Sequence, residues 1–384
     1  MRPPLSPTLT IGAPLVLCGL VVAVLIWRET SAAGFWAGLG LALLPVPILL
    51  GTFHWIDGLA PRPWRTLAFA FGWGACAATL FALIANGLLV GWLTDDPATL
   101  RPTGADRLEL TVIAPVVEET AKGAAVFLLF LHRPHAFSGV LPGILAAGLS
   151  ATGFAFTENI LYLGSAFTRD QAEGVGGVDS ATAVTFFVRI VLAPFAHPMF
   201  TALTGIGFGL TTMLTAHRRR WRALPPLAGL ATAMGLHSAW NASASLSLTG
   251  FAAVYLLLMV PVFCALCWLT GWSRERQLRV VRDTLPLYAA AGWLSDAEPR
   301  ALGSLRSRSL SRRLARQDHG PAGWRAVTDY QATATALALL RDRAQRGGAC
   351  SDFAERERDL LRRLTRRRAL AAPPTVAAGR VLTE

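Results

Sequence analysis

Lysine is almost absent from this sequence. Of 36 Lys and Arg residues only Lys122 is a lysine, so every other fixed positive side chain is an arginine. Cysteine is scarce as well. The five (Cys18, Cys76, Cys264, Cys267 and Cys350) give no disulfide framework. Cys264 and Cys267 have C-x-x-C spacing, but they lie in an apolar run with no further ligand beside them and read as small hydrophobic residues. No G-x-S-x-G, H-E-x-x-H or phosphate-cradling glycine loop occurs. That excludes a serine-hydrolase elbow, the familiar zinc-protease helix and P-loop nucleotide chemistry. No internal repeat is visible, so the paired halves of many transporters are missing too. Gly205-x-Gly207-x-Gly209 lies inside an apolar run and reads as close helix packing.

What the chain has in abundance is apolar length. Hydrophobic residues make up 53% and the mean hydropathy is +0.44, with charge on only 16%. Apolar runs recur at about 11–27, 33–53, 66–93, 109–131, 139–163, 182–216, 224–246 and 250–272, then stop. The pattern predicts an all-α, polytopic transmembrane helical bundle of about eight spans (1–272), followed by a soluble, basic, helical C-terminal tail (273–384). The first run reads as a retained anchor, although Ser31-Ala32-Ala33 resembles a cleavage site. Pro194 and Pro198 should kink the long 182–216 span. Arg2, Arg62, Arg65, Arg133 and the Arg218–Arg222 cluster fall on one side. Glu29, Asp95, Asp96, Asp106, Asp170, Glu173 and Asp179 fall on the other. By the positive-inside rule both termini are cytoplasmic, in a multi-pass protein of the cell membrane.

The tail from Ser273 carries 22 Arg against 12 acids, ten of the net twelve positive charges. It reads as several short helices, among them 332–346 and 351–368, with Arg274, Arg276, Arg279, Arg282 and Arg366–Arg368 available to anionic lipid. No stacking aromatics are interleaved and no known motif is present, so no nucleic acid is expected as a partner.

Charged groups inside the apolar runs are the functional signal. A charge at bilayer depth costs at least ~2.5–3.5 kcal/mol on insertion scales. Yet the run around Ala114-Pro115-Val116-Val117-Glu118-Glu119-Thr120-Ala121-Lys122 holds two adjacent carboxylates and the only lysine. On a helix Lys122 reaches either carboxylate. Phe154-x-x-x-Glu158-Asn159 follows in the next run, then Arg189 and His197, then His237-x-x-x-Asn241. Counted at 1.5 Å per residue, Glu118 lies roughly 14 Å below the outer end of its span. Glu158, His197 and His237 fall at compatible depth. A buried carboxylate can take a proton from water, and His or Asn donors can stabilise an oxyanion. Two His with one or two Glu also suit Zn²⁺ with an open position for water.

The order and spacing of Glu118-Glu119-x-x-Lys122, Phe154-x-x-x-Glu158-Asn159, His197 and His237-x-x-x-Asn241 resemble the PrsW family of intramembrane proteases. That family is distantly similar to the CAAX-prenyl endoproteases and the bacteriocin-immunity membrane proteases. The resemblance covers about residues 50–272. It implies a peptidase acting in the bilayer on membrane-embedded or juxtamembrane protein substrates, in PrsW itself a transmembrane anti-sigma factor. Carried over, Glu118, Glu119, Glu158, His197 and His237 are the catalytic set, with Lys122, Asn159, Arg189 and Asn241 in support. Two cofactor readings stand open: Zn held by Glu158, His197 and His237, or none, with a glutamate-activated water. The alternative function is a transporter or proton-coupled channel using the same Glu/His/Lys cluster as a relay. Every candidate catalytic group precedes Ser273. Deleting Ser273–Glu384 should therefore leave cleavage of a generic membrane substrate intact, as read by a gel-based assay on the inserted, truncated protein.

Overall fold

Inside a bilayer no water is available to the backbone, so a crossing chain must satisfy its own N–H and C=O groups. In the computed structural model the chain does so with helices, and no strand occurs among the described residues. Those residues are 7–94, 107–132, 137, 139–214, 221–346 and 352–381. Several residues used above for orientation, namely Arg2, Asp95, Asp96, Asp106, Arg133 and Arg218–Arg220, lie outside them, as do Cys350 and Ser351.

The elements are α1 (Pro7–Glu29), α2 (Ala32–Leu43), α3 (Pro45–Asp57), then α4 (Trp64–Gly72) and α5 (Thr79–Thr94) around a π-helical turn at Trp73–Ala78. A second π-helical turn, Glu109–Ile113, leads into α6 (Ala114–His132), and α7 runs over Val140–Glu173. Next come α8 (Ala181–Phe186), a π-helical turn at Phe187–Leu192, α9 (Ala196–Thr211) and α10 (Leu224–Ser243). A last π-helical turn, Tyr255–Met259, joins α11 (Leu248–Val254) to α12 (Val260–Ala290). After it follow α13 (Glu298–Leu302), α14 (Leu305–Gln345) and α15 (Phe353–Arg380).

Six helical stretches are long and apolar enough to cross a membrane: Gly12–Glu29, Ala32–Asp57, Trp64–Trp92, Val140–Glu173, Ala181–Thr211 and Leu248–Ala290. The other two expected spans are helical, as α6 and α10, but are not among the six. They are the helices that carry Glu118, Glu119 and Lys122, and His237 and Asn241. The polar groups that mark them as functional also lower their apolarity.

The chain forms two compact units, one of Met1–His54, Pro63–Thr211 and Ala223–Leu266, the other of Trp55–Arg62, Thr212–Arg222 and Cys267–Glu384. In the first unit α7 is the central post, with 89% of its apolar window buried. Its neighbours approach to backbone contact. A Cβ at Gly143 would stand 1.9 Å from the Gly205 carbonyl oxygen, and one at Gly153 would stand 2.0 Å from that of Phe71. The kink expected in 182–216 is a full break: Ala193 leaves helical geometry and Pro194 sits in the gap. Pro198 then lies in the first turn of α9, where its missing N–H costs nothing. Ser31, read above as part of a cleavage-like site, caps α2 by accepting from the Gly34 N–H at 2.9 Å.

The second unit corrects one expectation. The helices expected at 332–346 and 351–368 are parts of longer ones, the half of α14 after Gly320 and α15, with the end of α12 and the short α13 beside them. Gly320 leaves helical geometry (φ 60°, ψ −151°), so α14 is two helices that meet at a kink. Pro373 and Pro374 fail to stop α15 because Ala371, Pro374, Thr375 and Ala378 are buried there, and tertiary packing outweighs the local cost. Val281, Leu285, Tyr330, Leu337, Leu361 and Leu364 share one core.

The glycine contacts generate a test. Gly143→Val should lower stability in detergent by on the order of 3 kcal/mol, because α7 and α9 must separate. Gly40→Val, where nothing lies within 4 Å of a Cβ, should leave thermal unfolding unchanged.

Candidate active site

Glu118, Glu119 and Lys122 share one face of α6, since residues three and four apart are neighbours on a helix. The Lys122 Nζ lies 2.7 Å from Glu119 Oε1 and 3.3 Å from Glu118 Oε2. Glu119 and Lys122 are both 0% exposed. The apolar side of the helix fixes this orientation: Val117 and Ala121 pack with Ala78, Ala82 and Phe154. Two hydrogen bonds pin the same turn, from Trp73 Nε1 to the Ala121 carbonyl (2.9 Å) and from the Ser150 hydroxyl to the Lys122 carbonyl (3.0 Å).

Two histidines close on this group from other helices. His197, in the first turn of α9, has Nε2 2.9 Å from Glu158 Oε2 and Nδ1 3.2 Å from Lys122 Nζ. A carboxylate only accepts and an ammonium only donates. Nε2 of His197 therefore carries the hydrogen, and Nδ1 accepts from the lysine. His237, on α10, places Nδ1 3.1 Å from Glu119 Oε1. By the same logic Nδ1 donates, leaving the Nε2 lone pair turned toward Glu118 Oε2 at 3.9 Å. Phe200 stacks on the His237 ring at 4.9 Å between centroids, and the Lys122 ammonium sits 4.4 Å from the centre of the Phe154 ring.

The adjacent glutamates differ in how they are held. Both oxygens of Glu119 are engaged, Oε1 by Lys122 and His237 and Oε2 by the Thr201 hydroxyl at 2.8 Å. Glu118 is contacted through Oε2, by Lys122 and at longer range by His237, with no bond to Oε1 among the described residues. Glu119 is a fixed anchor, and Glu118 keeps accepting capacity.

Glu158 and Asn159 are tied to Arg189, whose Nη1 lies 2.9 Å from Glu158 Oε2 and 3.1 Å from Asn159 Oδ1. Arg189 stands on the π-helical turn Phe187–Leu192, a kind of irregularity that frequents functional sites. Its guanidinium rests 3.7 Å over the Tyr162 ring. Asn241 is not drawn into the cluster. Its amide donates to the Leu110 carbonyl at 2.9 Å and ties α10 to the turn ahead of α6.

Glu118, His197 and His237 each offer a ligand atom, all within 4.8 Å of one another. The set expected from the sequence had Glu158 where the structure brings Glu118; Glu158 is instead held by Arg189 and His197. One oxygen and two imidazoles suit a divalent metal such as Zn²⁺. The Glu119 carboxylate behind His237 Nδ1 is the outer partner that orients a ligating imidazole. The donor set fits a metal once Lys122 releases the His197 Nδ1 lone pair, since His197 Nε2 is taken by Glu158. Three carboxylates against Lys122 and Arg189 also leave one negative charge for a further cation or a transferred proton to offset.

The sequence reading missed Thr201, Phe200 and Tyr162. The signal was available: Thr201 and Phe200 stand four and three residues after His197, and Tyr162 four after Glu158, on the same helix faces.

Residues 62–266 match the PrsW-protease family, described as PrsW family intramembrane metalloprotease. No curated protein and no solved structure matches the chain. The match spans α4 to α11 and the first turns of α12, and every residue of the cluster lies inside it.

Lys122→Met should destabilise the protein by about 3–5 kcal/mol, since two buried carboxylates lose their shared cation. Thr201→Val, which removes one donor from Glu119, should cost about 1–3 kcal/mol. Thermal unfolding in detergent measures both, and equal effects would contradict the shared-cation geometry.

Proposed function

The chain belongs to the PrsW family of intramembrane metalloproteases, and we propose that it hydrolyses peptide bonds in membrane-embedded or juxtamembrane protein segments with Glu118 as the proton-accepting group. The unequal holding of Glu118 and Glu119 carries this reading. A general base needs a free acceptor within reach of the attacking water, and Glu118 has one where Glu119 has none. Glu118 takes the water proton and later returns it to the leaving amide nitrogen. Glu119 positions His237 and shares Lys122. Glu158 orients His197, and Arg189 with Asn159 holds Glu158. The substrate is a membrane protein, of which a transmembrane anti-sigma factor is one instance. The chain sits in the cell membrane with both termini cytoplasmic and the arginine-rich tail against anionic lipid.

Where a metal is bound, Glu118, His197 and His237 are the residues that would hold it, and it would supply Lewis acidity to the carbonyl and a more acidic water. The metal-free version has its own support in Lys122, whose ammonium already contacts Glu118, Glu119 and His197. The relay reading as a transporter or channel lacks any such support once the family is known.

Glu118→Gln should lower cleavage of a single-span reporter by at least ~100-fold with folding retained. Glu119→Gln should instead lower both stability and activity. Stoichiometric zinc in active protein, lost together with activity in His237→Ala, selects the metal version. Full activity after chelation selects the glutamate version. An active Glu118→Gln protein would overturn the assignment of the base.

A further inference from the structure

Next to the cluster, α1, α5 and α7 enclose a groove of about 730 Å³. Leu25 and Ile26 form one wall, Ile84 and Gly87 the other, and Tyr162 and Ser165 lie on its floor. We propose that this groove seats the transmembrane helix of a single-span protein substrate and delivers it to the cluster, an inference that rests on the peptidase reading above.

Three observations carry it. The first is continuity. Glu158, Leu161, Tyr162 and Ser165 are spaced three, four and seven apart, one stripe on α7, so the groove floor begins one turn from Glu158, about 5.4 Å along the axis. The ring of Tyr162 lies under Arg189, Arg189 bonds Glu158, and Glu158 bonds His197. The second is access. Leu25, Ile84 and Tyr162 are 39%, 52% and 41% exposed, and in a bilayer that exposure faces lipid. A helix diffusing in the membrane plane meets this opening directly. The third is shape and chemistry. No heavy atom lies within 4 Å of where a Cβ on Gly87 would stand, and with Ser165 opposite, a second helix backbone can come close. The Tyr162 and Ser165 hydroxyls and the Glu29 carboxylate at the end of α1 can hydrogen-bond to peptide and side-chain N–H groups. An acyl chain has no use for them. The α1 wall lies outside the family-matched residues 62–266.

The probe is a panel of epitope-tagged single-span proteins with leucine-rich segments of about 20 residues, co-expressed with the Glu118→Gln protein. A photo-crosslinking phenylalanine analogue replaces Ile84, and in a control Leu257, which is 78% exposed on the Tyr255–Met259 turn. Tagged adducts at Ile84 and none at Leu257 are the expected result. In the active protein, Gly87→Phe and Ser165→Phe should each raise KM for a cleaved panel member roughly ten-fold with kcat nearly unchanged, the mark of lost ground-state binding. Leu257→Phe should do neither. Equal adducts at both positions, lipid-only adducts at Ile84, or unchanged KM in both filled-groove variants would overturn the groove. Adducts at Ile84 with no member cleaved would support the groove and sink the peptidase reading; cleavage without adducts would do the reverse.

Discussion

One ammonium group holds the charged interior of this bundle together. The Nζ of Lys122 meets Glu119, Glu118 and the Nδ1 of His197 within 3.3 Å. Such charges are tolerated in an apolar interior only when each is paired and hydrogen-bonded. Through Lys122 the helix bearing the carboxylates is joined to the one bearing His197, and through Glu119 to the one bearing His237. The single lysine of the sequence is therefore placed where three donor hydrogens on one small cation are needed. A planar arginine fork would not meet three acceptors on two helices in the same way.

The frame that makes this meeting possible is made of small residues and irregular turns. Glycines on α7 and its neighbours let backbones touch, which brings side chains from four helices within hydrogen-bond range. The break at Ala193–Pro194 starts a new helix just before His197. The π-helical turns put Arg189 over Tyr162 and offer the Leu110 carbonyl to Asn241. At these irregular turns the carbonyls of Ala75, Leu110 and Leu192 accept from Thr157, Asn241 and Tyr255, as a membrane interior demands.

Chemically, the arrangement separates two tasks that adjacent glutamates would otherwise share. Glu119 is held at both oxygens and orients an imidazole, whereas Glu118 retains an acceptor. That asymmetry is compatible with the metal chemistry of the family name and with a glutamate-activated water, because both need one free carboxylate oxygen beside an imidazole lone pair. The groove along α1, α5 and α7 adds the other requirement of a membrane protease, a way in from the side.

Much was legible in the sequence itself. Helical spans follow from apolar length, because lipid leaves the backbone no other solution. The functional helix follows from the cost of burying Glu118, Glu119 and Lys122. The i, i+3 and i, i+4 spacings put Lys122 beside Glu119 and Glu118 before any fold was known. What the sequence could not decide was which glutamate is anchored and which is free, since that depends on Thr201 and His237 arriving from helices 82 and 118 residues away. Nor could it place Glu118 within reach of both His197 and His237, or show that Glu158 is shared between His197 and Arg189, because those helices meet only in the fold. Asn241 matched the motif by spacing, yet its amide is taken by the Leu110 carbonyl. Helix identity was set by local composition, whereas the partner of each polar group was set by which backbones the glycines allowed to touch.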